Sequence, residues 1–236
     1  MKYDGTAYRG WQVQPEGRTV QGELQRALSV ALRGEVPVVG AGRTDTGVHA
    51  RMMVAHFDAA EGLDCPQLVY KLNRLLPRDI AADRVEAVDA DMHGRVRAGS
   101  RTYHYYVHTR RDPFRRAYSC ELYYLPDFGK MNEAAATLLE YDDFASFCKS
   151  HTDVKTTLCN VTEARWVQDD EYGWHFVITA NRFLRNMVRA VVGTLLDVGR
   201  GRIDTAGFRK IIEGRSRSAA GDSVPACALF LEKISY

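Results

Sequence analysis

The sequence predicts an α+β fold of two subdomains, 1–98 and 99–236, with mainly antiparallel strands forming one continuous sheet, flanked by helices and lined by a central cleft. Three observations carry this expectation. Amphipathic helical stretches and strand-like stretches are mixed without the regular β-α-β succession of a parallel sheet. The strand-like segments Leu158–Val167 and Trp174–Ala180 are joined by a short turn at Asp169–Gly173, which demands an antiparallel pair. No Pro/Ser-rich linker divides the 236 residues, so the boundary near Gly99 is a soft one.

Each element follows from local pattern. Thr19 is placed to cap a helix over Val20–Leu32, where Val20, Leu24, Ala27, Leu28 and Ala31 share one face. Asp64 opens a second helix at Cys65-Pro66 that carries Leu68, Leu72 and Leu75. Between them, Val36–Val39 and Met52–Phe57 read as strands joined by AGRTDTGVHA, Ala41 to Ala50. Thr102–Arg110 is aromatic and β-branched and reads as a strand, and Lys130–Leu139 reads as a helix. The strongest helical period runs through Leu184, Met187, Val188, Val191, Val192, Leu195 and Leu196, with Arg182, Arg185 and Arg189 expected on its other stripe. A helix over Thr205–Ile212 and a strand over Ala228–Tyr236 complete the chain.

A hydrophobic fraction of 45% and a charged fraction of 26% are those of a globular protein and exclude collagen-like or disordered classes. The segment MKYDGTAYRG lacks an apolar signal region, and no window of 18 apolar residues occurs, so the expected compartment is the cytoplasm. Five scattered cysteines without a C-x-x-C pair argue against a disulfide framework or a zinc site and read as reduced, mostly buried thiols. Neither G-x-G-x-x-G nor G-x-x-x-x-G-K-[ST] is present, so no nucleotide cofactor is expected. The net charge of +2 is close to neutral, but Arg95, Arg97, Arg101, Arg110, Arg111, Arg115 and Arg116 are concentrated against the single acid Asp112. Arginine forks suit phosphate recognition, and a solvated face with local ion pairs is the equal alternative.

Asp45 stands out by its company of an arginine, threonines and glycines. A neighbouring cation favours an ionised carboxylate, able to act as nucleophile or base. From local chemistry alone a turn-capping role comes first, as in many Asp-x-Gly segments. His49 and His56 fit no zinc spacing and read as structural. Alternation puts Tyr103 and Tyr105 on one strand face and Tyr106 on the other; they read as sheet core or, second, as a platform for a base. Arg189 sits at the edge of an apolar helix face, where a charge needs a partner such as a half-buried carboxylate, and Asp45 would suit.

AGRTDTGVHA resembles the aspartate motif G-R-T-D-x-G-V-H of the TruA-type tRNA pseudouridine synthases. The resemblance continues through YDGTAYRGWQ, VQGELQRAL, NRLLPRDI, RTYHYYV, DDFASF, NRFLRNMVRAVVGTLLDVGRG and ALFLEKISY, in the family's order and over essentially the whole chain. It implies the pseudouridine synthase fold, no nucleotide, metal or redox cofactor, and isomerisation of uridine at positions 38 to 40 of the tRNA anticodon arm. It also implies a homodimer that grips tRNA across both subunits. Carried onto this sequence, Asp45 is the essential carboxylate, acting either as nucleophile at C1′ or as base towards a glycal. Tyr103 packs on the target uracil and assists proton transfer at C5, and Arg189 pairs with Asp45. Arg43 helps extrude the base, and Arg43, Thr44, Arg101, Arg182 and Arg185 form the expected substrate-binding set. Three departures from the family pattern stand out: a start shortly before YDGT, HGRV at His93–Val96 and PACAL at Pro225–Leu229. Two other function classes compete with it: a non-catalytic RNA-binding protein using the same arginines, and a glycosidic-bond hydrolase, for which a second placed carboxylate is lacking.

Overall fold

The computed structural model describes residues 1–88, 99–149 and 155–236; Arg95, Arg97 and the HGRV departure lie outside the described residues. The chain divides into two compact units, Met1–Gly99 with Phe230–Tyr236, and Ser100–Leu229.

In the first unit, β1 (Lys2–Tyr3) is followed by α1 (Val20–Leu32), β2 (Val39–Gly40), β3 (His49–Ala50), β4 (Ala55–His56), α2 (Cys65–Leu75) and β5 (Ile80–Ala81). The Thr19 side chain accepts the Gly22 amide and starts α1 where the sequence places it. Asp64 accepts the Gln67 amide and Pro66 occupies the first turn, which fixes the start of α2. The two helices pack together, burying Val20, Ala27 and Leu28 on one side and Leu68 and Leu72 on the other. The expected strands Val36–Val39 and Met52–Phe57 shrink to the two-residue pair β2 and β4. The end of the expected connecting loop is instead β3, antiparallel to β1, which also pairs with β5. Pairing partners, and not β-propensity, set these limits.

The second unit runs β6 (Ser100–His108), β7 (Cys120–Glu121), α3 (Phe128–Ala136), β8 (Val161–Gln168), β9 (Gly173–Ala180), α4 (Met187–Gly199) and α5 (Thr205–Glu213). β9 lies between β6 and β8, antiparallel to both, and β7 adds in parallel to the end of β6. Asp127 and Asp204 cap α3 and α5 by accepting the Lys130 and Gly207 amides. α3 ends earlier than the pattern suggests and tightens into a 3-10 turn over Thr137–Glu140, where Thr137 Oγ1 donates back to the Ala134 carbonyl at 2.7 Å. The core holds Tyr105, Met131, Leu138, Phe144, Phe147, Phe176 and Phe208, all fully buried.

The last strand, β10 (Leu229–Ser235), returns to the first unit: Phe230 and Leu231 pair in parallel with His49 and Ala50 of β3. Both units are thus α+β with mainly antiparallel strands. Cys148 and Cys159 are buried, whereas Cys65, Cys120 and Cys227 are partly exposed, so fewer thiols are buried than the sequence suggests. Among the described residues no helix is long and apolar enough to cross a membrane.

Candidate active site

The aspartate loop, residues 41–48, joins β2 to β3 and rests on the segment Tyr8–Trp11. The Trp11 amide donates to the Thr44 carbonyl at 3.1 Å, the Gly47 amide to the Tyr8 carbonyl at 3.3 Å, and the Val48 amide closes a turn on the Asp45 carbonyl at 3.1 Å. The hydroxyls of Tyr3 and Thr44 meet at 2.7 Å in the interior. Gly10, at φ +85, makes the approach possible, because a Cβ there would stand 2.4 Å from the Thr44 carbonyl oxygen. A Cβ at Gly5 would stand 2.0 Å from the Val48 carbonyl oxygen. The loop backbone therefore lies directly on two glycines and leaves no room to shift.

On this scaffold Asp45 is half-buried, Arg43 exposed and Thr44 buried. Thr44 holds the loop through Tyr3. His49 is structural: its Nδ1 accepts the Gly5 amide at 3.0 Å, and its buried ring stacks on Phe230 with centroids 4.6 Å apart. Beneath the loop the Tyr8 hydroxyl donates to Asp79 Oδ1 at 2.6 Å. Burial, reinforced by that bond, raises its pKa and keeps it a neutral donor.

The second unit carries the tyrosines and the remaining arginines. Tyr103 is buried on β6 opposite Ile178 of β9, and its ring meets the edge of Phe183 at 5.1 Å and 85°. Tyr105, two residues on, is wholly buried; burial first, then the neighbouring Cys120 thiol, pushes its hydroxyl far above the usual phenol range, while the positive charge of Arg189 works the other way. Tyr106 faces the opposite side, its hydroxyl 3.3 Å from His104 Nδ1.

The expected stripe of three arginines on one helix is not formed. α4 begins only at Met187, because Asn186 takes a left-handed conformation at φ +65 and the Met187 amide folds back on the Leu184 carbonyl at 3.1 Å. Arg182 therefore lies in the segment before the helix and Arg185 in the turn that leads into it, and Arg189 alone of the three lies on it. Arg182 is half-buried, and its guanidinium opposes the burial that pushes up the thiols of Cys148 and Cys159, the latter to about 11. Arg185 is exposed. Arg101 donates to the Asn181 carbonyl at 2.6 Å. Arg189 is half-buried on the first turn of α4, and its Nε donates to the Val224 carbonyl at 2.7 Å while the Val224 amide returns a bond to the Arg189 carbonyl at 3.2 Å. Residue type carries no signal for this backbone partner of Arg189, nor for Gly10 and Tyr3 as supports of the aspartate loop.

An α+β chain that braces one aspartate loop on glycines in its first unit and carries buried tyrosines and several arginines in its second matches one family. A model of the tRNA pseudouridine synthases fits residues 1–95 and 134–236, and the chain belongs to that family. Relatives named tRNA pseudouridine synthase A from Bacteroides fragilis and Bacteroides thetaiotaomicron are each 54% identical to it, over 237 and 238 aligned positions. These alignments span 100% of this chain and 94% and 88% of the respective relatives. A protein of the same name from Bacillus subtilis is 40% identical over 240 positions, spanning 100% of this chain and 97% of its own length.

Proposed function

We propose that this chain isomerises uridine to pseudouridine at positions 38, 39 and 40 of the tRNA anticodon arm, as a cytoplasmic homodimer without a cofactor. Membership of the tRNA pseudouridine synthase family supports the reaction, and the observation that carries the assignment of chemistry is the braced loop that presents half-buried Asp45. The reaction breaks the N1–C1′ bond, turns the uracil and joins C5 to C1′; C5 loses its proton and N1 gains one, so nothing is consumed. Asp45 is the carboxylate that initiates it. Tyr103 packs against the uracil, and Arg189 is the cation assigned to the same chemistry. Arg43 enters where the base leaves the stack, an extrusion that costs a few kcal/mol. Arg101, Arg182 and Arg185 contact the RNA backbone, and Thr44 contributes by fixing the loop.

Release of tritium from unmodified tRNA labelled at uracil C5 tests the reading. The wild-type chain releases it, and Asp45→Asn slows release on the order of 10³-fold while tRNA binding is retained. A near-wild-type rate in Asp45→Asn removes Asp45 from the chemistry. Binding without release by the wild type makes the chain an RNA-binding protein.

A further inference from the structure

The segment Arg217–Val224 is tied along the first half of α4 by polar bonds that the reaction as described does not use. Arg217 Nη2 donates to Ser223 Oγ at 2.9 Å and its Nη1 to the Gly221 carbonyl at 3.1 Å. Ser223 Oγ also accepts Asn186 Nδ2 at 2.6 Å, which fills both of its acceptor positions. The Gly221 amide donates to Thr194 Oγ1 at 2.9 Å, and Thr194 donates in turn to the Ala190 carbonyl at 2.8 Å. The contact is close enough that a Cβ on Gly193 would lie 1.8 Å from the Asp222 carbonyl oxygen. One residue beyond Ser223 comes Val224, whose carbonyl receives Arg189 Nε.

We propose that Arg217, acting through Ser223, is a positioning residue for Arg189. It fixes the Val224 carbonyl, that carbonyl fixes Nε, and a guanidinium held at Nε presents its two terminal nitrogens in one plane. The bonds of half-buried Arg217 end on the Ala220 and Gly221 carbonyls and on Ser223 Oγ, residues of the segment that leads into Val224, so their product is the orientation of the Val224 carbonyl. The proposal rests on the catalytic role given above to Arg189.

The test compares Arg217→Gln, Ser223→Ala and Ser223→Thr, each alone and combined with Arg189→Lys, in pseudouridine formation on an unmodified tRNA transcript. Arg217→Gln and Ser223→Ala lower kcat about tenfold or more with KM within about twofold, since misplacement of a supporting group acts on the chemical step. Ser223→Thr restores the hydroxyl and keeps kcat near wild type. In the Arg189→Lys background neither substitution costs more, because the group they orient is gone. A second readout does not depend on turnover: the Nε–H resonance of Arg189 is protected from exchange in the wild type and in Ser223→Thr, and loses protection in Arg217→Gln and Ser223→Ala. Unchanged kcat with persistent protection, or full additivity with Arg189→Lys, overturns the proposal. If Arg217→Gln does not fold, the Ser223 pair decides. Wild-type kcat in Arg189→Lys removes Arg189 from catalysis, while the resonance still reports whether Arg217 orients it.

Discussion

Gly10 shows how much of this site depends on the absence of an atom. Its left-handed φ alone would cost an alanine roughly 1–2 kcal/mol, and its Cβ would strike the peptide that precedes Asp45. Gly62 is a natural control, at φ +77 with nothing within 4 Å of a built Cβ. Gly10→Ala is therefore expected to lower unfolding free energy by more than about 2 kcal/mol and to impair tritium release, whereas Gly62→Ala costs only about 1 kcal/mol and leaves release intact. Denaturant titration with the release assay separates the two. The same logic explains why a side chain as small as Thr44 matters: buried against Tyr3, it transmits the position of the first strand to the aspartate beside it.

Among the elements, helices α1, α2, α3 and α5 each start on a threonine or aspartate whose side chain accepts an amide three residues on. The starts of α1 and α2 are legible because the whole device fits within one turn, whereas α3 starts at Phe128, ahead of the Lys130 that the pattern suggests. α4 lacks that device, and its start is set by Asn186, whose amide reaches Ser223. The end of β6 carries a titratable group in an equally fixed place. His108 is buried, its Nδ1 2.9 Å from Ser119 Oγ, and burial lowers its pKa. The unfolded chain binds a proton near the ordinary imidazole value of about 6.5, which the folded chain resists. Stability is therefore lost as pH falls from about 6.5 towards the lowered folded value. Unfolding free energies measured between pH 7.5 and 5.5 should decline, and the decline should be shallower in His108→Asn, which keeps a polar partner for Ser119 and does not titrate.

For the molecule as a whole, the return of the last strand has the largest consequence. β10 completes the sheet of the first unit by pairing with β3, and its Phe230 is buried against His49 with the Arg51 guanidinium 5.2 Å from the ring centroid. Phe230→Ala should cost about 3 kcal/mol, near the lower end for a buried phenylalanine because one ring face meets a charged side chain. Since His49 directly follows the aspartate loop, the loss should appear as a lower urea midpoint for Trp11 than for Trp166 and Trp174, and as a reduced rate of tritium release. A single midpoint at the wild-type position would show that β10 adds nothing to the first unit.

By itself the sequence determined the α+β class, the capped starts of α1 and α2, the β8–β9 hairpin and the loop that carries Asp45. These rest on periods of two and 3.6 residues, on caps that act within a turn, and on a motif read in one piece. The tertiary structure decided the two-residue strands β2, β3 and β4, too short to show any period, and the parallel pairing of β10 with a strand far away in the chain. It decided that Arg182 and Arg185 precede the helix that Arg189 occupies, and that Arg189 is held by a carbonyl. Every residue offers the same carbonyl, so only the folded chain could select Val224.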